Sequence, residues 1–298
     1  MNEISSNHNS KIHLEIEVTK KCNFSCPYCS AFTHIHGDTL SAEVKFNKYK
    51  EIIKSLKDRD IDYRIMGGEP LLFPYLQDLI SFIEQFKKHC TLLSNFSKRN
   101  IPFGNYDANI SLHLDYYNRL PIIKENILRF LKNSSGNLII NVILPDFDDF
   151  IQSKKYKEVN AFLKGIKNER VYIHPQLLFK CSDSLENFKK YQDVFSKEFP
   201  GSEFFNTFEL RLNKTRSNYR QCIEHFLTSK EIFCKPNIFF LNENLILSPD
   251  CNYFHFKKDL KTHDLKQDDF KILKHFCTNI QCYYDSVVFQ SAKIIKQF

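Results

Sequence analysis

Three cysteines crowd one short stretch, Lys21-Cys22-Asn23-Phe24-Ser25-Cys26-Pro27-Tyr28-Cys29, in a Cys-x3-Cys-x2-Cys spacing with only a tight loop between the thiols. Three thiolates so spaced can face one metal centre. A structural zinc site closes itself with four ligands, whereas an iron-sulfur cluster held by three thiolates keeps one iron open to a substrate. The missing fourth cysteine therefore favours the cluster, with Cys22, Cys26 and Cys29 as its ligands. Cys90 is too far along the chain to complete the set by spacing. His34 and His36 offer a zinc alternative, or they are polar loop residues.

A second loop, Met66-Gly67-Gly68-Glu69-Pro70, begins about 40 residues beyond the first. Its two glycines permit close backbone approach to a ligand, and a carboxylate follows at once. Further polar residues fall at the ends of later apolar runs: Ser94 and Asn95, Ser111, His113, Asn141 and His174. Each is either a strand-end capping group or a residue that faces a ligand.

Five of the ten cysteines lie between Cys222 and Cys282. Cys234 and Cys251 bracket two apolar runs around Asn242-Glu243-Asn244, which reads as a hairpin, and Cys277 and Cys282 follow. Four thiolates, Cys234, Cys251, Cys277 and Cys282, suffice for a second iron-sulfur cluster or for a tetrahedral zinc knuckle. Cys222 is either a substitute ligand or a thiol that donates a hydrogen atom to a substrate radical. Cys90 and Cys181 are most simply buried apolar thiols.

The elements that must carry these loops alternate. Strand-like runs at His13–Val18, Tyr63–Met66, Thr91–Ser94, Ala108–Leu114, Leu138–Leu144 and Arg170–Ile173 are followed, except after the third, by helical patterns. These patterns begin near Ser41, a plausible N-cap, and cover Tyr75–Lys88, Tyr117–Leu131, Tyr156–Ile166 and Leu185–Phe195. Such a β-α rhythm implies an α/β fold, a parallel sheet with helices outside, either opened flat or curled toward a barrel. Both special loops then lie at C-terminal strand ends, where barrels keep their chemistry. The rhythm fades after about residue 205, which divides the chain into a tail (1–11), a core (12–205) and a smaller Cys-rich domain (206–298).

The chain has 298 residues, 42 Lys and Arg against 35 Asp and Glu, 29 Phe and no Trp. Its length suits one large domain or a domain with an appendage. The first ten residues have no apolar core of an export signal, and no run is long enough to cross a bilayer. A cytoplasmic protein without a membrane partner is expected, and ten cysteines in such a chain point to metal rather than disulfides. The net charge of +7 counts each cysteine as neutral, so ligated thiolates would reduce it and no nucleic-acid partner is inferred. The lysines of Lys45–Arg59 read as a solvated helix face.

The two loops together resemble the radical S-adenosylmethionine (SAM) superfamily: Cys22, Cys26, Tyr28 and Cys29 match its cysteine motif, and Gly67, Gly68, Glu69 and Pro70 its GGEP motif. The resemblance implies a partial (β/α)6 TIM-like barrel with a smaller Cys-rich C-terminal domain. It implies a 4Fe-4S cluster whose open iron chelates SAM, with Tyr28 near the adenine, Gly67–Glu69 at the ammonium group, and Asn95, Ser111 and Asn141 toward ribose, carboxylate or substrate. Electron injection would cleave SAM to a 5'-deoxyadenosyl radical that abstracts a substrate hydrogen atom. A flavodoxin or ferredoxin type electron donor is the implied partner. The C-terminal layout is similar to the twitch and SPASM auxiliary-cluster domains, although the usual hairpin glycine is absent and the last cysteine pair is spaced Cys-x4-Cys. The substrate implied is a peptide or another biosynthetic intermediate. The alternatives are a sugar, nucleotide or amino acid, a glycyl-radical activating role, or a non-catalytic metal-binding relative.

Overall fold

The computed structural model describes residues 12–26, 29, 37–144, 154–166, 168–177, 197, 210–212, 215–217, 232–235, 238–249, 258–261, 275–277 and 293–295. Tyr28, His34, His36, Cys181, Cys222, Cys251, Cys282 and the helix expected at Leu185–Phe195 lie outside the described residues.

Six strands form the frame: β1 (Ile12–Glu17), β2 (Ile61–Met66), β3 (His89–Ser94), β4 (Asp107–His113), β5 (Leu138–Leu144) and β6 (Val171–Leu177). They pair in chain order, each parallel to the next. Between them run α1 (Ala42–Ser55), α2 (Leu76–Gln85), α3 (Leu120–Asn133) and α4 (Lys154–Gly165), with 3₁₀ turns at Pro70–Leu72 and Leu114–Arg119. A parallel strand needs a crossover to reach its neighbour, and these helices supply it on all but the β3–β4 step. Ser41 caps α1 by accepting the Val44 N–H, with Glu43 in the first turn and Lys54 in the last, in accord with the helix dipole.

The core lies between sheet and helices. Tyr49, Ile52 and Ile53 of α1, Leu79, Ile80 and Ile83 of α2, and Ile127 and Phe130 of α3 are buried against Ile16, Ile65, Leu92, Ile110 and Ile140 of the strands. In β4 burial alternates, so Ala108, Ile110 and Leu112 are buried while Asn109, Ser111 and His113 share the opposite, less buried face. Register places Ser111 beside Asn141. That second face is polar and carries the candidate site.

The expected hairpin is present as β10 (Ile238–Leu241) and β11 (Ile246–Pro249). Where a glycine is usual, Leu245 takes the left-handed conformation at φ 60°. Asn242 holds the turn, its Oδ1 accepting the Asn244 and Ile246 N–H groups. The sequence gives no hint that β10 pairs parallel with β1, so this hairpin and β12 (Lys258–Asp259) extend the core sheet to nine strands. Two small antiparallel sheets complete the described residues. One pairs β7 (Leu210–Leu212) with β8 (Thr215–Ser217), and the other sets β9 (Ile232–Lys235) between β13 (His275–Cys277) and β14 (Lys293–Ile295).

Candidate active site

The cysteine loop leaves β1 at Val18 and is closed at its base. Asp38, at the loop's far end, accepts hydrogen bonds from the Thr19 hydroxyl and the Lys20 N–H, both at 2.7 Å. Lys45 of α1 donates to the Val18 carbonyl at 2.7 Å and stands 3.3 Å from Asp38 Oδ1. Lys45 is fully buried, which corrects for this one residue the expectation that the lysines of Lys45–Arg59 form a solvated face, while Lys54 and Lys57 are exposed as expected. Positions 45, 49, 52 and 53 share the core side of the helix, so a charge sits there under the loop. Burial alone would raise the Asp38 carboxyl, but the Lys20 and Thr19 hydrogen bonds and the Lys45 charge hold it below its usual range. Burial lowers the Lys45 ammonium, against the opposing pull of Asp38.

The glycine pair packs on this loop directly. Gly68 N–H donates to the Thr19 carbonyl and Glu69 N–H to the Lys21 carbonyl, both at 2.8 Å. A Cβ on Gly67, whose φ is +152°, would meet the Thr19 oxygen at 2.4 Å, and one on Gly68 would meet the Lys21 oxygen at 2.4 Å. The close approach expected of these glycines is thus to the backbone of the cysteine loop. Glu69 is fully buried. Its Oε1 accepts from Leu71 N–H at 2.9 Å and Ser94 Oγ at 2.7 Å, and its Oε2 from Asn95 N–H at 2.8 Å. Burial pushes this carboxyl up against those hydrogen bonds. Asn95 in turn donates from Nδ2 to Asn23 Oδ1 at 3.1 Å, and Asn23, between Cys22 and Cys26, donates to Ser97 Oγ at 2.7 Å. The ends of β2 and β3 therefore grip the cysteine loop from one side.

The end of β4 grips it from the other. His113 Nδ1 lies 3.6 Å from Cys26 Sγ. Phe24 meets the His113 ring edge-on at 5.8 Å and stacks on Tyr116 at 3.8 Å, with the ring planes 3° apart. The Tyr116 hydroxyl accepts the Ser25 N–H. Burial pushes the Cys26 thiol up to about 11, reinforced by Cys22 and Cys29 and opposed by a hydrogen bond from Tyr116. Burial also pushes the His113 imidazole down to about 4, so the ring is neutral at pH 7.

A carboxyl pair ties the β10–β11 turn to the same loop. Glu243 accepts from Lys20 Nζ at 2.8 Å, and its backbone N–H donates to Glu17 Oε2 at 3.4 Å. Burial and the Glu243 side chain raise Glu17 to about 8. A proton retained by Glu17 gives the buried Glu243 Oε2, which otherwise has no partner, a donor.

Residues 16–101, the span holding the cysteine loop and the glycine loop, match the sequence profile of the Radical SAM superfamily. This span is a radical SAM domain. A GTP 3',8-cyclase of Helicobacter pylori (strain HPAG1) is 30% identical over 172 residues, 54% of this chain and 54% of the relative. A probable GTP 3',8-cyclase of Archaeoglobus fulgidus is 32% identical over 107 residues, 34% of this chain and 35% of the relative. The chain spans about half the length of the first of these relatives and about a third of the second. Among solved structures, Streptococcus suis SuiB bound to S-adenosylmethionine superposes with a TM-score of 0.53 at 15% identity, covering 93% of this chain and 68% of that one. The structure of anSMEcpe with bound AdoMet gives 0.53 at 13%, covering 87% and 79%. These likenesses show the fold, a mostly parallel α/β sheet.

The radical SAM domain implies a 4Fe-4S cluster and SAM, and the donor set fits them. Cys22 and Cys29 both lie close enough to Cys26 to push its thiol upward electrostatically. Among the described residues no three such groups converge as a single metal ion requires, whereas a cluster spans more widely set thiolates. When bound, the cluster supplies an open iron and an electron to SAM. The three thiolates would hold it, and the Gly67–Glu69 backbone borders the same loop.

Of the other expected site residues, Asn95 is brought into the loop network, and Ser111 lies two residues before His113 on the polar sheet face. Asn141 donates to Asn109 on that face. Cys90 is fully buried, as expected. Cys234 and Cys277 stand on adjacent strands, two positions apart in register, since Cys234 pairs with His275 and Cys277 with Ile232. Lys45, Asp38 and Tyr116 were not legible as site residues. The i, i+4, i+7 relation of Lys45 to Tyr49 and Ile52 is the one signal that places it inward.

Proposed function

We propose that this chain is a radical SAM enzyme that reductively cleaves S-adenosylmethionine to a 5'-deoxyadenosyl radical, which abstracts hydrogen from a peptide substrate. The observation that carries the reading is the loop of Cys22, Cys26 and Cys29 held between the Gly67–Glu69 turn and the end of β4. In this reading the sheet is a partial (β/α)6 barrel. Cys22, Cys26 and Cys29 hold the cluster, the Gly67–Glu69 segment meets the SAM ammonium group, Tyr28 the adenine, and Asn95, Ser111 and Asn141 the rest of SAM or the substrate. Burial of Glu69 and Asn95 keeps water from the reacting centre.

The C-terminal segment 206–298 is proposed as a twitch or SPASM-like unit carrying a second cluster on Cys234, Cys251, Cys277 and Cys282. Cys222 is proposed as a hydrogen donor or a substitute ligand. The SuiB structure with precursor peptide SuiA superposes over 87% of this chain at a TM-score of 0.53, a coverage that supports a peptide substrate. A flavodoxin or ferredoxin would deliver the electron in the cytoplasm. A second reading, a nucleotide substrate, draws on the relatives named GTP 3',8-cyclase, although they match about half of the chain or less.

The test of substrate class is incubation of the reduced, reconstituted protein with SAM and either GTP or short precursor peptides encoded beside its gene. Deoxyadenosine formation and a mass change in a peptide support the first reading. Turnover of GTP alone replaces it with the second.

A further inference from the structure

The structure places two hydrogen-bond donors against one of the three cluster thiolates, and they come from a part of the chain remote in sequence. His113 Nδ1 is 3.6 Å from Cys26 Sγ across 87 residues. The Tyr116 hydroxyl accepts the N–H of Ser25, the residue next to Cys26, and so has its own proton to give beside the same sulfur. Phe24 fixes both groups, edge-on to His113 and stacked on Tyr116. Cys26 itself is buried, so these contacts are not exchanged for water.

We propose that His113 and Tyr116 are positioning residues that hydrogen-bond the Cys26 thiolate and raise the reduction potential of the cluster it holds. The inference rests on the radical SAM reading. A ligated thiolate can only accept, so the His113 proton must sit on Nδ1 in this contact. Hydrogen bonds to a cluster's sulfurs favour the form with more negative charge, which is the reduced one, and shift the potential upward. The electron donor then meets a cluster that is easier to reduce.

The experiment is an anaerobic potentiometric titration of the reconstituted protein followed by electron paramagnetic resonance. The wild type is compared with His113→Phe and Tyr116→Phe, which keep both ring contacts with Phe24, and with His113→Asn, whose amide restores a donor near the Nδ1 position. A variant with Cys234, Cys251, Cys277 and Cys282 all changed to alanine serves as background, so that one cluster is read. Each Phe variant is expected to lower the reduced-to-oxidised ratio at a fixed potential about tenfold, which is about 59 mV for one electron. His113→Asn is expected to recover most of it. Unchanged potentials in both Phe variants, with full cluster content, overturn the proposal and leave the radical SAM reading intact. A wild type that takes up iron without any reducible cluster overturns both.

Discussion

Lys45 on α1 and Asp38 at the end of the cysteine loop form a buried ion pair, Nζ to Oδ1 3.3 Å, beneath the loop that carries Cys22, Cys26 and Cys29. The same ammonium donates to the Val18 carbonyl, so one side chain joins the loop's entrance to its exit. Removing one partner of a buried pair strands the other charge. Lys45→Met is therefore expected to destabilise the apo protein by about 3 kcal/mol, read as a lower urea midpoint. It should also slow iron uptake, whereas the exposed Lys57→Met changes neither.

Gly68 answers to a steric limit. An added methyl would stand 2.4 Å from the Lys21 carbonyl oxygen and 2.6 Å from that of Lys20, distances at which backbone must move. Gly68→Ala is expected to cost about 2 kcal/mol by overpacking and to displace the residue next to Cys22. Iron content per chain after reconstitution is the check, with at least a twofold loss expected.

Much of this was legible because local chemistry dictated it. The alternation of apolar runs and helical patterns gave six parallel strands, and Ser41 stands where the N-cap was read. Cys22, Cys26, Cys29 and Gly67–Glu69 carry their meaning in spacing. The pairing of β10 with β1 was not legible, because Ile238–Leu241 is an apolar run that any open sheet edge accepts, and contacts some 225 residues apart leave no local trace. The same holds for Tyr116, whose hydroxyl meets Ser25 across 91 residues. The Glu243 latch depends on that unforeseen strand pairing.

That latch has a pH signature. Glu17 is raised from 4.5 to about 8 by burial and by Glu243. The folded state therefore keeps a proton that the unfolded state releases, and stability is full below about 4.5 and lost as pH rises through 8. Between pH 6 and 8.5 the wild-type apo protein is expected to lose on the order of 2 kcal/mol. Glu17→Gln, which keeps a donor for Glu243, should show a flatter profile in parallel urea titrations.

At the opposite end of the sheet, His89 lies between Asp107 and Asp62, with Nε2 3.0 Å from Asp107 Oδ2, and His13 meets the other side of Asp62 at 2.9 Å. Hydrogen bonds donated to Asp107 and then to Asp62 raise the imidazole to about 9. Its contribution is complete below about 6.5 and disappears as pH rises through 9. The side chain is 43% exposed, so solvent screening reduces the effect to about 1 kcal/mol. His89→Gln should lower the melting temperature at pH 7 and leave it unchanged at pH 10.

The most direct test of the central claim is the release of 5'-deoxyadenosine from SAM by anaerobically reconstituted protein under dithionite, beside a Cys22→Ala, Cys26→Ala, Cys29→Ala triple variant. Product from the wild type and none from the variant is the predicted result. Equal product from both, or none from a fully loaded wild type supplied with GTP and candidate peptides, would contradict it.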